Sequence, residues 1–116
     1  MSAGLSVVLI HPGTPPADTF ERLGRSDLPP LGILYLAAVL VRAGHRVEVI
    51  DLNLARSGND LVARVLHARP DVVGLGTIAP SEDATLRLGR RLREVLPADC
   101  LVLAGGADAT IRTRRY

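Results

Sequence analysis

The sequence predicts an α/β protein with an open parallel sheet of the flavodoxin or Rossmann type. Four short runs rich in Val, Ile and Leu alternate with three segments whose apolar residues recur at helical spacing, which is typical of a parallel sheet covered by helices. The chain has 116 residues, and 47% of them are hydrophobic, which suffices for one domain with one core. We therefore expect a β-α-β-α-β-α-β order, right-handed crossovers and the strand order 2-1-3-4.

The first half of the chain contains two predicted strands and one predicted helix. Residues 5–10 are apolar and partly β-branched, as in a strand that is buried on both faces. After a polar segment rich in Pro and Gly, Pro29 and Pro30 precede a helix over Leu31–Arg42. Gly44 supplies the stop of this helix, and residues 46–51 form the second strand.

The second half repeats this pattern. Asn59 is the predicted N-cap of a second helix, which ends at Pro70, and residues 71–75 form the third strand. Ser81 is the predicted N-cap of a third helix, and Pro97 ends it. Two segments complete the chain: a fourth strand over residues 100–104, and a basic tail over residues 111–116 in which we expect no regular element.

Composition excludes several classes of protein. The chain contains 14 Arg or Lys and 12 Asp or Glu, and aromatic residues make up 3%, so its scattered basic residues and few stacking side chains do not indicate a nucleic-acid partner. A single cysteine, Cys100, excludes a disulfide within the chain and is expected to be a buried thiol. No secretory signal precedes the first strand, and the longest apolar run is far shorter than the roughly 20 residues that span a bilayer. We therefore expect a cytoplasmic protein without a membrane partner.

The predicted loops after the four strands contain the candidate binding residues. Ligands of open parallel sheets bind outside the carboxyl ends of the strands, at the switch point of the strand order. Small or special residues occur at all four of these ends, which favours a large, flat or elongated ligand that approaches the backbone closely. The candidates are Pro12, Gly13, Thr14, Asp51, Asn53, Thr77, Pro80, Ser81, Gly105 and Gly106.

Five segments in this order resemble the N-terminal cobalamin-binding domain of cobalamin-dependent radical SAM enzymes, and together they cover nearly the whole chain. They are VVLI-x-P at 7–12, PPLGILYLA at 29–37, AGH-x-VEVID at 43–51, PDVVG at 70–74 and LAGGA-x-AT at 103–110. The resemblance implies a module that holds cobalamin base-off, with the dimethylbenzimidazole tail of the cofactor buried between sheet and helix. It also assigns roles to three groups of residues: Pro12, Gly13 and Thr14 under the corrin, Thr77, Pro80 and Ser81 along the tail, and Gly105 and Gly106 at the space for the tail.

The chain departs from this family's pattern at several positions. The motif Asp-x-His-x-x-Gly, whose His ligates cobalt in the wider family, is absent, so we expect binding without a His ligand. His11 is the one alternative cobalt ligand, although a polar lining role is favoured. Gly76 stands where a Ser is frequent. The motif Cys-x-x-x-Cys-x-x-Cys is absent, so we expect no catalysis from this chain alone, and an iron–sulfur cluster and SAM only in a missing domain or a partner chain.

Family domains usually continue into a fifth strand, whereas about ten residues follow Gly106 here. We therefore expect residues 1–116 to be one cobalamin-binding domain that is truncated at its C-terminus. The fourth strand would then be an apolar edge, through which we expect a homodimer unless a partner supplies the fifth strand.

Other functions fit the sequence less well. The spacing Gly74-x-Gly76-x-x-Ala79 follows the third strand, whereas a dinucleotide fingerprint follows the first. A receiver-like signalling domain would need a lysine, which the chain lacks. The alternative that remains is an α/β domain that binds no cofactor, either an interaction module or a remnant.

Overall fold

Strands and helices alternate along the chain as predicted. The computed structural model describes residues 4–13, 30–52, 58–77 and 82–116. The strands are β1 (Ser6–His11), β2 (Arg46–Asp51), β3 (Val72–Gly76) and β4 (Leu101–Gly105), and the helices are α1 (Leu31–Arg42), α2 (Gly58–Ala68), α3 (Glu82–Val95) and α4 (Ala107–Ile111). A short 3₁₀ turn at Thr113–Arg115 follows α4. None of the helices in these ranges is long and apolar enough to cross a membrane.

The four strands form one parallel sheet in the order β2-β1-β3-β4, which confirms the predicted topology. In the register of the sheet, His11 lies beside Asp51, and Gly76 lies beside Gly105. The carboxyl ends of all four strands therefore meet at one edge, where the sequence predicted the binding loops.

Three strands begin one residue later than predicted, because polar contacts hold the preceding residues outside the strands. The Asp71 carboxylate accepts a hydrogen bond from the Ser6 backbone N–H at 2.8 Å. The Cys100 N–H donates to the Pro97 carbonyl at 3.0 Å, which closes a turn before β4. The sequence pattern located the apolar runs correctly, but it contained no signal for these turns.

The helix ends were predicted with mixed success. Helix α1 has the predicted bounds, and Gly44 follows its C-cap with a φ of +94°, in the left-handed region that favours glycine. The predicted N-cap at Asn59 is wrong, because α2 begins at Gly58 and Asn59 therefore lies in its first turn. Ser81, the other predicted cap, lies outside the described residues.

The hydrophobic core lies between the sheet and helices α2 and α3. Its members come from alternate strand positions and from one stripe of each helix: Val8, Ile10, Ile50, Leu61, Val65, Val73, Leu75, Leu92, Leu96 and Cys100. Each fully buried aliphatic side chain contributes about 1.5–3 kcal/mol relative to exposure. Cys100 is 3% exposed, as predicted, and burial raises the pKa of its thiol, which makes the sulfur less reactive.

The other face of the sheet is only partly covered by the elements described. A Cβ atom on Gly76 would lie 3.1 Å from Ile33 Cδ1 of α1. The face of the sheet on which this Cβ would lie is therefore the face that α1 covers. Leu101 and Leu103 alternate with Val102 and share this face with Gly105. These two leucines are 52% and 48% exposed, so the part of this face that belongs to β4 is open.

The basic tail is ordered into α4 and the 3₁₀ turn, so the prediction that residues 111–116 form no element is wrong. The tail packs back on the start of α3. The Arg112 guanidinium forms ion pairs with both Glu82 and Asp108, and Arg115 pairs with Glu82. The tertiary fold brings these carboxylates to arginines that are distant from Glu82 in the sequence, which is why the sequence pattern missed the contact.

Candidate functional site

The β1–β2 half of the carboxyl edge is polar. His11 and Asp51 end neighbouring strands in register, and the Leu52 N–H donates to the His11 carbonyl at 3.0 Å. Pro12 and Gly13 follow His11, and Gly13 is buried with a φ of +72°. Because this conformation strains residues that carry a Cβ, glycine allows the chain to turn sharply there.

The β3–β4 half of the same edge has a glycine floor, formed by Gly76 and Gly105. A Cβ on Gly76 would lie 3.1 Å from Ile33 Cδ1 and 3.4 Å from Pro12 Cδ, whereas a Cβ on Gly105 would meet no atom within 4 Å in the part of the chain that the structure describes. The floor is therefore bounded by α1 beside Gly76 and open above Gly105. Leu103 extends the open region along β4 as an exposed apolar surface.

The Thr77 hydroxyl links the end of β4 to the following helix α4. It donates to the Gly105 carbonyl at 2.9 Å and accepts from the Ala109 N–H at 2.8 Å. Gly106 packs directly on this threonine, because a Cβ there would lie 3.0 Å from the Thr77 carbonyl oxygen. Of the two paired glycines, Gly105 therefore borders open space, and Gly106 fills a contact within the chain.

The structure brings most of the predicted site residues to one edge. Pro12, Gly13, Asp51, Thr77, Gly105 and Gly106 all follow or end the four strands, together with the half-buried His11. Thr14, Asn53, Pro80 and Ser81 lie outside the described residues. The prediction missed the apolar wall of Ile33, Leu101 and Leu103. The period-two alternation of side chains along β4 could have indicated that the two leucines share a face with Gly105. The position of Ile33, in contrast, depends on how α1 packs on the sheet.

A cavity of about 480 Å³ lies between α3, β4 and the tail. Leu75, Leu86 and Ala109 line it together with Arg90 and Tyr116. Leu103 lines this cavity and also borders the glycine floor, so the two adjoin along β4, although none of the predicted site residues that the structure describes is part of the cavity lining. No group of three or more His, Cys, Asp or Glu that could hold a metal ion occurs among the residues that the structure describes.

The buried Asp108 carboxylate lies beside the site and binds two side chains of the C-terminal residues. The Tyr116 hydroxyl and the Arg112 guanidinium both donate to the Asp108 carboxylate, and the first of these bonds is the larger cause that holds the pKa of Asp108 below its ordinary value. Burial, together with the hydrogen bond to Asp108, raises the pKa of Tyr116 to about 12. Because Asp108 precedes Ala109, this cluster fixes the segment that donates to Thr77.

We predict that Tyr116 titrates abnormally in the folded protein. In a Tyr35→Phe variant, the remaining tyrosine should ionise with a pKa of about 12, measured by tyrosinate absorbance. The neutral phenol is favoured in the fold, so its contribution to stability is fully present below the ordinary pKa near 10 and is lost as the pH rises through about 12. Asp108→Asn should lower the pKa of Tyr116. Titration of Tyr116 near 10 in the Tyr35→Phe variant would contradict the packing of the C-terminal residues on Asp108.

The fold defines a class of protein: a flavodoxin-like α/β domain with an open parallel sheet, a class whose members commonly bind ligands at the switch point of the strand order. The chain belongs to the B12 binding domain family, whose profile matches residues 3–116. The resemblance indicated by the sequence motifs, to the cobalamin-binding domain of cobalamin-dependent radical SAM proteins, is thereby confirmed.

Two curated proteins are similar to this chain. It is 28% identical over 109 residues to the cytidylyl-2-hydroxyethylphosphonate methyltransferase of Streptomyces wedmorensis, in a match that covers 75% of this chain and 20% of that protein. It is also 28% identical over 109 residues to the anaerobic magnesium-protoporphyrin IX monomethyl ester cyclase of Synechocystis sp. (strain ATCC 27184 / PCC 6803 / Kazusa), covering 91% and 21%. The chain thus spans about a fifth of the length of these relatives. No solved structure gives a significant match.

Proposed function

We propose that this chain is a cobalamin-binding module that holds the cofactor base-off and without a His ligand, as part of a larger or split cobalamin-dependent radical SAM enzyme. Membership of the B12 binding domain family supports the cofactor. The observation that carries the site is the glycine floor at the carboxyl edge, where no atom of the described residues lies within 4 Å of the Cβ position of Gly105.

The residues present at this edge fit the shape of the cofactor. In this proposal, the dimethylbenzimidazole tail lies over Gly105, between Ile33 of α1, which packs on Gly76, and the exposed Leu103 of β4. An aromatic base gains from burial against such apolar walls, and the missing Cβ atom of Gly105 allows it to approach the backbone closely.

The corrin ring would rest on the polar half of the edge. Pro12 and Gly13 would form the surface under the ring, beside His11 and Asp51 at the ends of β1 and β2. Thr77 would act indirectly, because its hydroxyl already bonds to Gly105 and Ala109, and Gly106 would keep this threonine in place. The proposed site also includes Thr14, Asn53, Pro80 and Ser81.

The bound cobalamin would supply a cobalt centre for chemistry that protein side chains do not perform. This chain's residues would bind and orient it. The reaction itself, for example a methyl transfer, would belong to a radical SAM domain or partner chain with its own iron–sulfur cluster and SAM. Two facts support this division: the matched relatives are about five times as long as the matched segment, and one of them is named a methyltransferase.

A spectroscopic titration tests the proposal. Hydroxocobalamin is added to the purified chain, and we expect a shift of its visible spectrum and co-elution with the protein on gel filtration. After reduction to the cobalt(II) form, the electron paramagnetic resonance spectrum should lack the nitrogen splitting of the base-on cofactor. An unchanged spectrum without co-elution, at protein concentrations near 1 mM, where even a weak complex of about −4 kcal/mol forms, would reject cobalamin binding by this chain.

We predict that His11→Ala leaves cobalamin affinity within about threefold of the parent, because loss of a lining side chain costs well under the 1.4 kcal/mol that a tenfold change requires. The affinity is measured by the same titration. His67→Ala, an exposed change on α2, is the matched control. The contradicting result would be nitrogen splitting in the parent complex that His11→Ala removes and His67→Ala retains. His11 would then be a cobalt ligand, and the proposal that cobalamin binds without a His ligand would be wrong.

A further inference from the structure

Asp108 is a buried carboxylate that the proposed function leaves without a role. It is 5% exposed. The Arg112 Nε donates to one of its carboxylate oxygens at 2.7 Å, and the Tyr116 hydroxyl donates to the other. These partners lie four and eight residues later in the chain. A buried charge is costly unless it is paired and hydrogen-bonded, and bonds to both oxygens restrict the movement of this carboxylate and of the helix that carries it.

Helix α4 has no capping side chain of its own. Gly106 occupies its N-cap position, and the first backbone N–H groups of a helix have no partner within the helix. Thr77, which follows β3, supplies these partners instead. Its hydroxyl accepts a hydrogen bond from the Ala109 N–H at 2.8 Å, and its carbonyl accepts one from the Asp108 N–H at 3.4 Å. A residue from the end of a different strand therefore caps α4.

The same hydroxyl connects α4 to the glycine floor. Because its oxygen accepts the Ala109 N–H, its single proton is left to be donated, and the Gly105 carbonyl accepts it at 2.9 Å. Thr77 is 2% exposed, so its hydroxyl acts from within the protein. The orientation of the Gly105 peptide depends on such contacts, because glycine has a wider conformational range than other residues. A displacement of Ala109 would therefore reach Gly105 through one hydroxyl group.

We propose that Asp108 is a positioning residue for cobalamin binding. Its carboxylate fixes the start of α4, and through the Thr77 hydroxyl this helix holds the Gly105 carbonyl in the orientation that the glycine floor needs. Asp108 does not touch the cofactor in this arrangement. The inference rests on the proposed function, because it concerns the affinity for cobalamin, but the hydrogen bonds that connect Asp108 to Gly105 are present without a ligand.

Tyr116→Phe tests this role, because it removes one hydroxyl group that donates to Asp108 and keeps the aromatic ring. We expect the dissociation constant for hydroxocobalamin to rise by about fivefold or more, measured on the whole chain by the visible-spectrum titration. Ser6→Ala is the matched control, because it also removes one hydroxyl group, which donates to the Ala68 carbonyl at the opposite edge of the sheet. Its dissociation constant should stay within about twofold of the parent value. Circular dichroism checks that both variants fold.

A double-mutant cycle shows whether the effect passes through Thr77. Thr77→Val removes the hydroxyl group and should weaken binding at least as much as Tyr116→Phe does. Thr77→Ser keeps the hydroxyl group and should recover most of the affinity that Thr77→Val loses. The double variant, Thr77→Val with Tyr116→Phe, should bind no more weakly than Thr77→Val alone. Independent structural contributions from the two residues would instead add.

The outcomes separate this inference from the proposed function. Equal losses of affinity in Tyr116→Phe and Ser6→Ala, or additive losses in the cycle, would overturn the positioning role and leave cobalamin binding intact. No binding by the parent would reject the proposed function and this role together. Amide hydrogen exchange, followed by NMR without cofactor, tests the connection directly. The Ala109 amide should exchange at least about tenfold faster in Tyr116→Phe than in the parent, and an unchanged rate would also overturn the inference.

Discussion

Gly105→Leu is expected to weaken cobalamin binding by at least about a hundredfold, which corresponds to about 2.7 kcal/mol, while the domain stays folded. The backbone of Gly105 is not in the left-handed region, and a Cβ there meets none of the described residues within 4 Å, so leucine should be accommodated without strain in the cofactor-free protein. The same side chain would occupy the volume that we assign to the dimethylbenzimidazole tail. The visible-spectrum titration measures the loss, and thermal unfolding measures the stability.

Ala63→Leu is the matched control for this prediction. It adds a comparable side chain at an exposed position of α2, on the opposite side of the sheet, and should leave both the affinity and the melting temperature nearly unchanged. If Gly105→Leu binds cobalamin as tightly as the parent does, the tail does not pass over Gly105. The proposed binding geometry would then be wrong even if the chain binds the cofactor.

Gly106→Ala is expected to lower the free energy of unfolding by about 2–3 kcal/mol. Gly106 has a φ of +111° and a ψ of −171°, in a region that is essentially restricted to glycine and costs other residues about 1–3 kcal/mol. The new methyl group would also lie 3.0 Å from the Thr77 carbonyl oxygen and 3.2 Å from its nitrogen. These are backbone atoms that cannot move aside without disturbing the end of β3.

Thermal unfolding checks this second prediction, and the melting temperature should fall by roughly 8 °C or more. Gly105→Ala is the control, because the neighbouring glycine has free space and an ordinary backbone, so that its stability should change by less than about 0.5 kcal/mol. An unchanged melting temperature in Gly106→Ala would show that the segment after β4 does not pack on Thr77 as described.

The two neighbouring glycines show the limit of sequence interpretation at this site. The motif predicted one role for both, because a pair of glycines after a strand indicates only that side chains are excluded there. The space that a side chain would fill can be needed by a ligand or by the protein's own backbone. Which of the two applies depends on what lies opposite the glycine. For Gly106 it is Thr77, 29 positions earlier in the chain, whereas none of the described residues has an atom within 4 Å of the Cβ position of Gly105.

The sequence by itself determined the alternation of strands and helices, the order of the sheet and the edge at which the loops meet. These features follow from local patterns: apolar β-branched runs, helix spacing, Pro and Gly at the boundaries, and the fixed handedness of the crossovers. The bounds of α1 were predictable for the same reason, since they depend on the immediate neighbours in the chain, and the burial of Cys100 was expected from its residue type, because a free thiol in an apolar run is usually buried.

The tertiary structure decided which surfaces remain open and which charges are paired. The tail is ordered because Glu82 and Asp108 come together beside Arg112 and Arg115, and the sequence showed only a basic run. Leu31 and Tyr35 of α1 are exposed, whereas Ile33 of the same helix faces the sheet, although the composition of the whole helix resembles that of a buried one. Burial and ion pairing depend on contacts between distant residues, whereas periodicity reports only which residues share a face.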